Sequence, residues 1–151
     1  MIDYDYDSPD FLISSTACSQ QGKLFELAME KGYEMETFVP VFMNSEAAKG
    51  LDAVYDHYQW AGNHYILEDV SRRHGLAPVD KPFRRMIEPG SPYWEACYWM
   101  GYTYRFWHWY TGEASGDIYR KADFKKMLTV YPGYHTLSCE MAIDRIKEEV
   151  G

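Results

Sequence analysis

The chain has 151 residues, 23 acidic against 15 basic, for a formal net charge of −8, with 46% hydrophobic and 25% charged residues. These values suit one globular domain and exclude wholesale disorder. The negative balance argues against direct binding to nucleic acid or an anionic membrane, since both reward positive charge. Aromatic residues are the departure from the ordinary: Tyr 14, Phe 7 and Trp 5 make up 17% of the chain, more ring surface than a core of this size requires.

The first ten residues carry Asp3, Asp5, Asp7 and Asp10 and no Lys or Arg. That is the reverse of a secretory leader, so a cytoplasmic chain is expected. In an extended strand, Asp3, Asp5 and Asp7 would face one way and Tyr4 and Tyr6 the other. Such a strip, with Asp10 following it, is a candidate docking segment for a basic protein surface, although a frayed, solvated terminus would have the same composition.

Helical periodicity dominates beyond this point and predicts an all-α single domain of about seven helices. The stretch from Gln20 to Lys31 gathers Leu24, Leu27 and Ala28 on one face, and Gly32 sits where a C-terminal glycine belongs. A short helix is expected over Thr37–Met43, with Pro40 tolerable only near its start. Asn44-Ser45 is a stop followed by an N-cap, opening a helix over Glu46–Tyr58 on the spacing of Leu51, Val54, Tyr55 and Tyr58. After a turn at Ala61-Gly62-Asn63, a helix over His64–His74 closes at Gly75. Residues 76–91 contain Pro78, Pro82, Pro89 and Gly90 and read as a connector, a candidate break between subdomains.

Ser91-Pro92 is a strong helix start, and the following helix is expected to run to Tyr110 and stop at Gly112. Tyr93 to Tyr110 (YWEACYWMGYTYRFWHWY) holds most of the chain's indoles and points rings in every direction. The helix must therefore be covered nearly all round or present rings to a partner. Trp107 and Trp109 are the candidate surface anchors, Trp being a common hot-spot residue. Arg105 and His108 are the polar exceptions in the run and, with the loop carboxylate Glu113, form a candidate ligand pocket. A turn at Asp117–Lys121 follows, then a helix from the Asp123 cap over Phe124–Tyr131, broken at Pro132-Gly133. The last helix, Cys139–Val150, is capped by Ser138 and buries Ala142, Ile143, Ile146 and Val150.

Catalytic and metal signatures are weak. His57, His64 and Glu68 do not make a four-ligand zinc set or an HExxH pattern, and there is no P-loop, GxGxxG or GxSxG, so no metal or cofactor is expected. Cys18, Cys97 and Cys139 are odd in number and widely spaced, as buried thiols of a reducing compartment would be. No apolar run approaches the roughly 20 residues needed to cross a bilayer.

Leu51–Val70 (LDAVYDHYQWAGNHYILEDV) resembles a family of small helical bacterial proteins of unknown function, through Tyr55, Tyr58, Gly62, Tyr65, Ile66, Glu68, Asp69 and Val70. Gln59-Trp60 replaces the Leu-His pair of that pattern. Tyr93–Ile146 is similar to segments encoded at the same kind of locus, which resembles a toxin–antitoxin operon with an ADP-ribosyltransferase-like protein. The resemblance implies an antitoxin-like neutralising partner rather than an enzyme. Two other functions fit the residues. One is a phage or mobile-element inhibitor, anti-CRISPR-like, that mimics nucleic acid in a cationic groove. The other is an enzyme or binder for a nucleotide-like ligand stacked near Arg105, His108 and Glu113. In the first two cases the partner is a protein with a basic surface, a toxin or a nucleic-acid-handling effector.

Overall fold

The α-helix from Pro9 to Glu30 (α1) lies against the helix from Pro92 to Thr111 (α5), and this pair is the axis on which the other elements pack. The computed structural model describes residues 9–53, 56–79, 88 and 90–150, with side chains from residue 15 onward. The pairings Ser15–Tyr102, Ser19–Tyr98 and Glu26–Trp94 run in opposite chain directions, so the two helices are antiparallel. They approach closely at Gly101, where a Cβ would lie 2.7 Å from the Gln21 carbonyl oxygen and 2.9 Å from the Phe25 ring. Only the absence of a side chain permits that separation.

Six further α-helices complete the described fold: α2 (Met35–Met43), α3 (Glu46–Asp52), α4 (Asn63–His74), α6 (Ser115–Lys121), α7 (Phe124–Tyr134) and α8 (Cys139–Val150). A 3₁₀ turn, His57–Trp60, links α3 to α4. No strand occurs among the described residues. The all-α architecture around the aromatic-rich helix is thus as the sequence predicts.

The core is continuous. Phe25 of α1 meets Phe38 and Phe42 of α2 edge-on at 5.9 and 5.7 Å between ring centroids, and Tyr104 of α5 at 6.5 Å. Edge-to-face contacts of this kind set the negative ring face against the positive edge of the next ring. Met29, Met35, Met43 and Met100 are also fully buried and fill the spaces between rings. Cys18 and Cys97 are buried and Cys139 half-buried, all as free thiols, with burial pushing them up to about 12, 12 and 11. Cys18 and Cys97 fill the core, and Cys139 packs against it.

Several local features differ from expectation, among them the turn expected over Asp117–Lys121, which is the helix α6. Helix α1 begins at Pro9, eleven residues before Gln20, because packing on α5 compensates for a Ser- and Thr-rich stretch of low propensity. The helix expected over Glu46–Tyr58 ends at Asp52, where the Gln59 side chain donates to the carbonyls of Gly50, Leu51 and Ala53. Pro40 lies well inside α2; the carbonyl it leaves without an N–H is that of exposed Glu36, which water can satisfy. Pro132-Gly133 does not break α7, which continues to Tyr134 with Pro132 on its exposed side. In addition, Val150 of α8 is 47% exposed instead of buried.

Candidate functional site

Arg105, His108 and Glu113 each bond to partners within the protein. Arg105 projects from the middle of α5 into the core and is 2% exposed. Its Nε donates to Gln21 Oε1 at 2.9 Å, Nη1 to Asp52 Oδ1 at 2.6 Å and Nη2 to Ser115 Oγ at 3.3 Å. Gln21 in turn donates to the Gly101 carbonyl at 2.9 Å. Burial lowers the Arg105 pKa while the Asp52 charge opposes that shift, so the guanidinium is kept charged by its neighbour.

Asp52, the last residue of α3, does a second task. Its Oδ2 accepts from the Ser115 backbone N–H at 2.8 Å and its Oδ1 from the Ser115 hydroxyl at 2.7 Å. Ala114, at the N-cap position of α6, has no side chain able to do this, so a carboxylate 63 residues earlier in sequence satisfies the helix end. His108 Nδ1 lies 2.7 Å from the Glu113 carbonyl oxygen and 3.6 Å from Asp52 Oδ1. A carbonyl can only accept, so Nδ1 carries the proton.

Glu113 is a hub between α5, α6 and α8. It accepts from Trp107 Nε1 at 3.0 Å and from the ammonium groups of Lys121 and Lys147, the latter at 3.0 Å. Burial alone would raise its pKa. The hydrogen bonds from Lys121, Trp107 and Lys147 outweigh it and hold the carboxyl at about 2. The cavity beside Arg105, lined in part by Gln21, Leu24 and Gln59, measures about 30 Å³, room for a water molecule and not for a nucleotide ring. Arg105, with Gln21, Asp52 and Ser115, forms a buried polar network that pins α1, α3, α5 and α6 together.

The expected surface anchors also take other places. Trp107 is fully buried, because its face of α5 turns toward Glu113 and the core. Trp109 is half-buried against the core, with its indole N–H enclosed. Asp3, Tyr4, Asp5, Tyr6 and Asp7 lie outside the described residues. Asp10 falls in the first turn of α1, with its side chain outside them. Among the described residues, the large rings that stand out in solvent are Trp60, 75% exposed, and Tyr65, 52% exposed.

A second buried network tethers that region. Asp69 of α4 accepts from the Tyr58 hydroxyl at 2.6 Å, Arg72 at 3.1 Å and Arg73 at 3.0 Å. Burial would raise its pKa, but these donors bring it below the ordinary value. Between α5 and α7 lies an open groove of about 370 Å³ walled by Trp94, Tyr98 and Trp99 of α5 and by Tyr131 and His135 of α7. Glu26 and Glu95 complete it. The sequence carries its signal in the i, i+4 spacings Trp94–Tyr98 and Tyr131–His135. Sequence reading missed it because the two faces belong to different helices.

The described residues contain no group of His, Cys, Asp and Glu side chains able to hold a metal ion, and no helix among them is long and apolar enough to cross a membrane. No family model, no curated protein and no solved structure matches the chain. A functional reading therefore rests on the chemistry of the chain itself.

Proposed function

We propose that this chain is an acidic protein-binding inhibitor, antitoxin-like in role, that neutralises another protein by docking on its basic surface. The observation that carries the reading is how the charges are disposed. Lys49, Arg72, Arg73, Arg120, Lys121, Lys125, Lys126 and Lys147 each pair with a carboxylate of the same molecule, and Arg105 is buried on Asp52. Glu30, Glu68, Glu88, Glu95 and Glu148 meanwhile stand exposed. These pairs leave the net charge of −8 unchanged, and with such carboxylates in solvent the molecule presents a negative field that steers association with a cationic partner. Commitment of Arg105, His108 and Glu113 to internal bonds supports a binding role over a reaction at those residues.

Co-expression with the product of the adjacent gene tests the proposal. The expected result is a complex that co-purifies at low salt and weakens as salt rises; separate elution at every salt concentration contradicts it. If excess duplex DNA displaces the chain, its target is a nucleic-acid-binding surface, and the phage-inhibitor form of the reading is the correct one.

A further inference from the structure

We infer that the groove between α5 and α7 is the seat for an arginine side chain presented by the partner protein, an inference that rests on the protein-binding reading above. Trp99 and Tyr131 meet edge-on at 5.6 Å, and Tyr131 stacks on His135 at 4.4 Å with 21° between the planes. These rings give the groove broad apolar walls with π faces. Its acidic groups are already positioned: Glu26 accepts from the Trp94 indole N–H, and the Glu95 carboxylate hydrogen-bonds to the Tyr131 hydroxyl. Each of these bonds fixes a carboxylate at the groove without neutralising it. No Lys or Arg is among the residues that line the groove.

The chemistry selects the occupant. Aromatic walls attract cations through the ring quadrupole, and they favour a planar, weakly hydrated cation over a compact, strongly hydrated one. Two anchored carboxylates add acceptors that suit the fork of N–H donors on a guanidinium. A volume of about 370 Å³ accommodates the guanidinium and part of its aliphatic stem. A lysine ammonium would forfeit the stacking, and a neutral side chain would leave the carboxylates without a counter-charge. The groove matches an arginine better than either, and an acidic inhibitor of a basic protein would meet arginines on its target.

The test is titration of the intact protein with N-acetyl-arginine amide, with its lysine and citrulline counterparts as controls. It is read by NMR at the indole N–H signals of Trp94 and Trp99. The expected result is saturable binding by the arginine compound with Kd on the order of a few mM, the lysine compound about threefold or more weaker, and no saturation with citrulline. Glu95 is exposed, so Glu95→Gln leaves the fold intact and is expected to weaken arginine binding by about threefold or more. Trp99→Ala is expected to abolish it, with the far-ultraviolet circular dichroism spectrum checking that the helices persist. Absence of a saturable shift, an equal response to citrulline, or indifference to Glu95→Gln overturns the inference. Such a failure alongside a co-purifying complex places the docking face elsewhere on the molecule, whereas loss of the complex itself removes the reading beneath it.

Discussion

Glu113 shows how one carboxylate can be both solvent-adjacent and committed. Its pKa is held at about 2 against an ordinary value of 4.5, so the folded state binds the charged form more strongly than the unfolded chain does. A depressed carboxyl pKa contributes stability that is fully present above pH 4.5 and is lost as the pH falls toward 2. Glu113→Gln should cost roughly 1–2 kcal/mol at neutral pH, discounted because both lysine partners are partly exposed. Urea unfolding of the two proteins across pH 7 to about 2 checks this: the gap should narrow through that window, and a constant gap contradicts the assignment. Arg105 and His108 are legible in the sequence as polar exceptions in an aromatic run, and Glu113 as a loop carboxylate just beyond it. Their roles are not, because Asp52 reaches Arg105, and Lys147 reaches Glu113, from distant parts of the chain.

At the scale of elements, local signals read well wherever the governing contact is local. Ser45, Ser91, Asp123 and Ser138 each accept a backbone N–H three residues on, as their positions predict. Gly75 and Gly112 end their helices at φ 67° and 79°, in the left-handed region that a side chain disfavours. What failed were boundaries set by tertiary contact. The early end of α3 depends on Gln59 and on a Tyr58 ring so close to Gly50 that a Cβ there would lie 2.6 Å from it. The α1–α5 contact supplies a direct test of helix packing. Gly101→Ala gains about 1 kcal/mol of helix propensity but forces a methyl against the Gln21 carbonyl, which cannot move without shifting α1. The net expectation is destabilisation of about 1–3 kcal/mol, seen as a lower thermal midpoint; an unchanged or raised midpoint contradicts the close approach.

The whole molecule divides its two surpluses, rings and acid, between inside and outside. Most of the rings of the α5 run are core or packed against it, and among the described residues the surface keeps Trp60, Tyr65 and the α5–α7 groove. Acid is treated the other way: Asp52, Asp69 and Glu113 hold helices together inside, while Glu30, Glu68, Glu88 and Glu148 stand in solvent. The proposed docking on a basic partner rests on the excess of acid over base in the composition and on the exposed carboxylates among the described residues.

The association rate with the co-expressed partner as a function of salt tests this most directly. A steered encounter should slow by about tenfold between about 50 and 500 mM salt, with a smaller change in dissociation. A rate that stays flat across that range would contradict the acidic docking surface.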